Sequence, residues 1–295
     1  MATETLLVRP PGGLWVDALR RLAQNRVAVA AGTVLAVLAI AVVVGPSLSP
    51  WRYDQTDWNL MAAPPDFGSG HWFGTDALGR DLFVRVMHGG RVSLAVGIVA
   101  TLVSLLIGVT WGAVAGYVGG RVDRVMMRIV DILYALPFMF LVILLMVLFG
   151  RSILLMFLAI GAINWLDMAR IVRGQTLSLR EREFVEAARA MGMPSGAIIR
   201  RHIVPNLLGV VAVTATLTVP QVILVESFLS FLGLGVQEPM TSWGALVNDG
   251  AHELEGAPWM LLIPGAFLAV TLFCLNFLGD GLRDALDPRD PGRAR

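Results

Sequence analysis

Long runs of apolar residues dominate the pattern of this chain. The first run, residues 27–44, contains no charged side chain, and a helix needs about 20 mainly apolar residues to cross a bilayer. Five further runs follow Arg91, Asp131, Arg151, His202 and Glu255. The pattern therefore predicts an all-α integral membrane protein with six transmembrane helices.

Two of these runs depart from the usual lengths. The fourth, residues 152–166, is short, so we expect its helix to include residues 167–171 or to be buried among its neighbours. The first run follows Arg20, Arg21 and Arg26, as a signal peptide would. It exceeds the 7–15 residues of a signal-peptide core, which predicts an uncleaved first span.

Arginines concentrate in alternate connections between the runs. They occur in the N-terminal tail, after the second run, densely after the fourth and in the C-terminal tail, but none lies between Arg201 and Arg283. Basic residues mark the cytoplasmic side of short loops, so both termini are predicted to be cytoplasmic. The predicted division is a cytoplasmic tail 1–26, a first transmembrane helix 27–46, an extracytoplasmic loop 47–90, a five-helix core 91–280 containing a cytoplasmic coupling loop 172–206, and a cytoplasmic tail 281–295.

The loop 47–90 conflicts with the charge rule, because it is predicted to be extracytoplasmic but contains Arg52, Arg80 and Arg85. Long external loops follow the charge rule weakly, so the orientation stands. The loop is rich in proline, glycine and tryptophan, and we expect it to pack as a small extracytoplasmic cap.

Composition sets limits on the chemistry. Hydrophobic residues make up 56% of the chain and charged residues only 15%, against about 25% charged in soluble domains. All 23 basic side chains are arginine, so a P-loop with its phosphate-binding lysine is excluded. Any ATP hydrolysis must belong to another subunit, and we expect no cofactor in this chain. Cys274 is alone, which excludes an intrachain disulfide.

The loop after the fourth run predicts a short helix outside the membrane. Ser178 and Glu181 have the spacing of a capping box, which places the start of the helix at Ser178. Gly192 can adopt the left-handed cap at its end, and Pro194 blocks continuation. A second short helix is expected from Ser195 to near Pro205.

One face of this helix is suited to contact a partner. Phe184, Ala187, Ala188 and Met191 share a side by helical spacing. Alanines let a partner backbone approach closely, and charged residues border the face. Two interpretations remain open from the spacing alone: docking into a groove of another protein, or lying on the membrane surface.

The same stretch resembles a known family. Glu186-Ala187-Ala188, then Gly192, then Ile203-Val204-Pro205 is similar to the EAA loop of ABC importer permeases. In that family the loop forms the coupling helix, which sits in a cleft of the ATPase subunit. The resemblance implies ATPase-coupling roles for Phe184, Glu186, Ala187, Ala188, Arg189, Met191 and Gly192.

Two further segments narrow the resemblance. Residues 73–81 with 90–94, and residues 226–235 with 242–244, are similar to permeases of the DppC/OppC type, which import dipeptides and oligopeptides. Nickel and glutathione importers share these segments and remain alternatives. The resemblance implies a type I ABC importer permease fold in a bacterial inner membrane. It also implies a second, related permease, two ATPase subunits that bind ATP and magnesium, and an extracytoplasmic substrate-binding protein, with no role for nucleic acid.

Three polar residues near or within the spans allow more than one role. Glu226 can line a pore or make a structural hydrogen bond to the loop before the sixth span, and its place near the outer interface favours the latter. Asp131 follows Arg128 with ion-pair spacing. Asn164, near Asp167, can line a pathway or mark the water interface.

An ion-coupled secondary transporter is the more distant alternative. Such a protein needs ionisable residues near the membrane midplane, and these spans are almost free of charge. No metal-ligand spacing or catalytic arrangement is evident, since the four histidines are scattered. The sequence therefore favours a non-enzymatic pore subunit.

Overall fold

The computed structural model describes residues 14–150 and 152–286, and their fold is all-α, as predicted. These ranges contain no β-strand, only three isolated β-bridges within the loop that follows the first span. The helices are α1 (Leu14–Gln24), α2 (Arg26–Val44), α3 (Leu82–Val118), α4 (Gly120–Tyr134), α5 (Phe138–Phe149), α6 (Ile153–Leu179), α7 (Glu183–Ala190), α8 (Ser195–Ile198), α9 (Val204–Phe231), α10 (Trp243–His252) and α11 (Trp259–Leu286).

Five helical segments are long and apolar enough to cross a membrane. They contain α2, α3, α6, α8 with α9, and α11. The short fourth run is part of the 27-residue helix α6, so its predicted extension is confirmed. Residues 1–13, Arg151 and 287–295 of the predicted tails and turn lie outside the described residues.

The sixth predicted span, third along the chain, is a broken one. Helices α4 and α5 are long and apolar enough to cross a membrane only when taken together, and they are bent by 79°. Pro137 stands at the break as the N-cap of α5. Because proline has no backbone N–H and disfavours helix in the residue before it, the span that follows Asp131 is interrupted at this point.

Helix α3 begins earlier than the sequence indicated. It starts at Leu82, inside the segment assigned to the loop 47–90, because Asp81 caps it by accepting a hydrogen bond from the Val84 amide at 2.8 Å. The extra turns carry Arg85, which is 1% exposed. Burial in the folded loop, not in lipid, accommodates this charge.

Helices α3 and α6 pack closely along a stripe of glycines. A Cβ placed on Gly108, Gly112 or Gly116 would lie within 2.9 Å of α6, against Met168, Ala169 and Thr176 respectively. Small residues spaced by four let two helix backbones approach in a membrane. This contact makes α3 and α6 the central pair of the bundle.

The bundle has two ends that differ in what covers them. At the loop end lie the residues 48–81 and α10. At the α7 end lie the start of α2, the end of α3, and α7 with α8. Between α8 and α9 the chain forms a π-helical turn, Ile199–Ile203, and continues into α9. The second short helix therefore does not stop near Pro205, which occupies the first turn of α9, where it needs no amide partner.

Candidate functional site

Helix α7 is shorter than predicted at its start. Helix α6 continues through Ser178 to Leu179, and α7 begins at Glu183 with Arg182 as N-cap, without a side-chain cap. The predicted capping box at Ser178 and Glu181 is therefore wrong. Thr176, one turn from the end of α6, is fully buried against Gly116, and this packing outweighs the local preference for a cap.

The end of α7 is closed as the sequence predicted. Gly192 has φ of 77°, and its amide donates to the Arg189 carbonyl at 3.0 Å. The Met193 amide donates to the Ala188 carbonyl at 3.1 Å. These two bonds form a Schellman motif, which fixes the direction in which the chain leaves α7.

The two sides of α7 have different surroundings. Val185 and Ala188 are fully buried and pack with Ile198, Ile203 and other inner residues. On the other side Phe184 is 41% exposed and Met191 76% exposed, and Ala187 between them is also exposed. We call Phe184, Ala187 and Met191 the free face. Ala188, which was predicted to share this face, instead anchors the helix to the bundle.

Charged side chains line a cleft beside α7. The cleft has a volume of about 490 Å³ and is bordered by Tyr117, Val118, Arg180, Glu181, Glu186, Arg189 and Ser195. Arg189 lies over the Tyr117 ring at 5.7 Å, and Arg180 donates to the Gly116 carbonyl at 3.3 Å. The predicted residues Glu186 and Arg189 therefore border a polar cleft between α7 and the end of α3.

Two ion pairs tie α4 to α6 near this end. Arg173 binds Asp123 in a two-pronged pair at 2.5 and 2.6 Å. Arg170 donates to Asp131 at 2.9 Å. The predicted partner of Asp131, Arg128 on the same helix, is not its partner. Arg170 of the facing helix α6 pairs with Asp131 instead, because the packing of α4 on α6 brings it closer than Arg128.

Asn164 and Asp167 border a second cavity, of about 340 Å³, at the bend between α4 and α5. The other lining residues are mainly apolar and include Tyr134 and Phe138. The Asn164 amide donates to the Ile160 carbonyl of its own helix at 2.9 Å. The structure therefore places Asn164 beside a cavity, and its role in a pathway stays a prediction.

At the loop end, Glu226 is fully buried among hydroxyl groups. Its carboxyl accepts hydrogen bonds from Ser93 at 3.1 Å and from Ser230 at 2.7 Å. Ser242, the N-cap of α10 before the last span, bonds to Ser230 at 3.2 Å. Glu226 thus joins three parts of the chain, which is the structural arrangement that its place near the interface favoured.

Trp243 completes this group, which we call the serine cluster. Its amide donates to the Ser93 hydroxyl at 3.2 Å, and its indole N–H donates to the Val86 carbonyl at 2.9 Å. The tryptophan side chain is fully buried. Sequence reasoning missed Ser93 and Trp243 as site residues, although both lie in the segments that carry the family resemblance.

A second buried group, the ionic cluster, lies in the folded loop. Asp76 accepts hydrogen bonds from the Arg80 guanidinium at 2.6 Å and from the Leu78 and Arg80 amides at 2.9 Å. Arg85 Nε lies 3.3 Å from the same carboxylate. Arg80 also reaches Glu238, at 2.9 Å. The expectation of a compact cap is met by this arrangement.

Asp81 ends the loop in a buried pair with His71. The ring Nδ1 and the carboxylate lie 2.9 Å apart, and both side chains are at most 2% exposed. Burial raises the pKa of the Asp81 carboxyl above its ordinary value, while the Val84 amide and His71 act in the opposite direction. Within residues 14–150 and 152–286, no group of three His, Cys, Asp or Glu side chains has an arrangement for a metal ion.

Comparison with known proteins places these features in context. Residues 108–289 match the family described as "Binding-protein-dependent transport system inner membrane component". Residues 13–65 match the "N-terminal TM domain of oligopeptide transport permease C".

Several curated relatives match nearly end to end. The chain is 59% identical over 277 residues to the oligopeptide transport system permease protein OppC of Haemophilus influenzae, covering 94% of this chain and 89% of that protein. It is 60% identical to OppC of Escherichia coli, covering 94% and 92%. It is 48% identical to the dipeptide transport system permease protein DppC of Bacillus subtilis, covering 95% and 88%.

A solved structure shares the fold. A chain of the MetNI methionine ABC transporter, in an inward-facing conformation, superimposes with a TM-score of 0.54 at 19% identity. The match covers 70% of this chain and 96% of that chain. At this identity the likeness concerns the fold alone, and the fold is the one predicted, that of a type I ABC importer permease.

Proposed function

This chain belongs to the family of binding-protein-dependent transport system inner membrane components, and we propose that it couples ATP hydrolysis by partner subunits to peptide import through α7. It is a multi-pass permease subunit of an ABC importer of the oligopeptide and dipeptide type. Membership of this family implies ATPase and substrate-binding partners.

The free face of α7 is the observation that carries the proposal. Val185 and Ala188 hold α7 against the bundle, and the Schellman motif at Gly192 fixes its end. Phe184, Ala187 and Met191 remain uncovered. A short helix that is fixed on one side and apolar on the other can transmit the movement of a bound partner to the spans. Its packing against the bundle prevents it from rotating independently.

The charges of α7 favour a protein partner over the membrane surface. Helices that lie on membranes carry lysine or arginine on their polar side. α7 contains two acidic residues, Glu183 and Glu186, against the single basic residue Arg189, and anionic lipid would repel this excess of negative charge. The docking interpretation therefore accounts for the composition of α7 better than the membrane-surface alternative.

The orientation follows from this assignment. The α7 end faces the cytoplasm with both termini, as the arginine distribution indicates. The loop end then faces outward, where the folded loop is positioned to meet the substrate-binding protein. ATP and magnesium are bound by the ATPase partners, since this chain has no lysine for a P-loop.

The pathway forms between this chain and a second, related permease. The cavity at the bend of α4 and α5, bordered by Asn164 and Asp167, is a candidate part of it. The substrate is a di- or oligopeptide, because the relatives named above are oligopeptide and dipeptide permeases. Nickel, glutathione and ion-coupled transport are not favoured by those relatives.

Co-purification of the ATPase subunits tests the coupling role. Met191→Glu places a carboxylate on the free face, and we expect the amount of ATPase retained by the tagged permease to fall at least fivefold. Met61→Glu is the matched control, because Met61 is 51% exposed in the loop at the opposite end. Equal retention of the ATPases by both variants would show that the free face is not the contact.

A further inference from the structure

A groove runs between the first and last spans at the α7 end. It has a volume of about 410 Å³. Val27, Ala30 and Val34 on α2 form one wall, and Phe273 and Phe277 on α11 form the other. Arg26 borders the same groove, so an apolar channel adjoins a cation.

Small side chains create this groove. The two helices touch closely near its base, where a Cβ on Gly281 would lie 2.5 Å from the Ala28 methyl carbon. Ala30, beside this contact, is too small to fill the space in front of it. Phe273 and Phe277 stack with ring centroids 6.4 Å apart and are 65% and 48% exposed, which forms a flat apolar wall.

The groove has the length of one membrane leaflet. The eight residue steps from Arg26 to Val34 correspond to about 12 Å along a helix, and half of a bilayer core is about 15 Å. Both walls belong to helices that qualify as membrane spans. An occupant of this groove therefore extends from the membrane surface into one leaflet.

The charge at the end of the groove selects among apolar occupants. Arg26 is exposed at the first position of α2, where the helix dipole is positive. Within the described ranges, no carboxylate or other side chain forms a hydrogen bond or ion pair with it. A cation with no such partner among the described residues, beside an apolar channel, complements an anionic head group joined to a hydrocarbon chain.

We propose that this groove binds one acyl chain of an anionic phospholipid of the inner leaflet, with its phosphate held by Arg26. This inference relies on the proposed orientation, which puts Arg26 on the cytoplasmic side. The lipid would fill the space between α2 and α11 and fix the first span against the last.

Photo-crosslinking tests the site in the assembled transporter. The complex is placed in nanodiscs of phosphatidylcholine containing a small fraction of phosphatidylglycerol with a photoreactive acyl chain. We expect labelling on α11 around Phe273 and Phe277, and far less when the photoreactive lipid is phosphatidylcholine. Arg26→Gln should reduce labelling about fivefold, and Ala30→Trp should abolish it by filling the groove.

Two matched controls separate the site from general effects. Arg128→Gln removes an exposed arginine from another helix, and Ile40→Trp adds the same ring to an exposed position of α2, Ile40 being 62% exposed, farther from Arg26. Both should label as the unmodified complex does. Equal labelling by the two lipids, or labelling of the second permease with none on α11, would overturn the proposal.

Peptide import by closed proteoliposomes of the same lipid composition distinguishes the two proposals. Failure of the lipid site would leave import and ATPase retention intact in the unmodified complex. Failure of the coupling proposal would instead appear as normal ATPase retention by Met191→Glu, whatever the labelling.

Discussion

The two ends of the bundle differ in how they satisfy their polar groups. At the loop end, Asp76, Arg85 and Glu226 are 3%, 1% and 0% exposed, and all three have partners within this chain. At the α7 end, Glu186 and Arg189 border an open cleft, and Met191 is 76% exposed. At the loop end these buried groups lie beside partners of the same chain, whereas the α7 end leaves a face uncovered.

This difference indicates that the loop end contributes mainly to folding stability and the α7 end mainly to coupling. Buried charges and hydrogen bonds are costly to disturb because an orphaned partner remains in a medium of low polarity. Exposed side chains can change with little loss of stability. We therefore expect substitutions at the loop end to lower the stability of the permease, and substitutions at the α7 end to alter transport while leaving stability largely unchanged.

Asp76→Ala should give the largest effect on stability. Asp76 compensates Arg80 and lies 3.3 Å from Arg85, and all three side chains are buried. Removing the carboxylate leaves two buried guanidinium groups without it, which costs about 3–5 kcal/mol. We expect the unfolding temperature of the purified complex to fall by about 10 °C, measured by the fluorescence of its tryptophans.

An exposed ion pair in the same loop is the control for Asp76. Asp54 pairs with Arg52 at 3.1 Å, but their side chains are 36% and 75% exposed. Solvent screens such pairs, so Asp54→Ala should leave the unfolding temperature unchanged. Similar falls in unfolding temperature in both variants would show that burial does not increase the contribution of the ionic cluster to stability.

Gly112→Ala tests the close packing of α3 on α6, the central helix pair that connects the two ends of the bundle. A Cβ on Gly112 would lie 2.5 Å from the Ala169 carbonyl oxygen, so α3 and α6 must move apart. Such overpacking costs about 1–3 kcal/mol. We expect a smaller fall in unfolding temperature than for Asp76→Ala, together with slower import, because separated helices transmit motion less faithfully.

Gly174→Ala makes the identical change on the other helix of the pair. No atom lies within 4 Å of a Cβ on Gly174. Since alanine favours helix over glycine by up to about 1 kcal/mol, stability should stay equal or rise slightly. A loss as large as that of Gly112→Ala would show that close packing of α3 on α6 is not the cause.

The sequence predicted the features that arise from local chemistry. The spans follow from apolar runs, and the left-handed Gly192 follows from the need to end α7 before Pro194. The predictions from sequence failed where packing between segments far apart in the chain determines the local structure. Ser178 has the sequence of a cap but lies inside α6, and Asp131 pairs with Arg170 of another helix.

The serine cluster shows the same limit at the candidate site. Ser93 and Glu226 are 133 residues apart in sequence, and no periodicity links them. A buried carboxylate near an interface predicted a hydrogen-bonding partner, but only the fold identifies it. Ala188 is a milder case, because helical spacing predicted it on one face with Phe184, Ala187 and Met191, whereas it is buried in the cluster that contains Ile198.

Gly192→Val should have the smallest effect on stability and a large effect on transport. With φ at 77°, a β-branched side chain is disfavoured by about 1–2 kcal/mol, although nothing lies within 4 Å of the new Cβ. The strain is therefore confined to the end of α7, whose direction changes.

Gly196→Val is the control, because Gly196 also has open space but no positive φ. We expect peptide import by Gly192→Val to fall at least tenfold with an unfolding temperature within a few degrees of the unmodified complex, while Gly196→Val imports normally. Normal import by Gly192→Val, or a loss of stability matching that of Asp76→Ala, would remove the distinction between an end that folds the chain and an end that drives it.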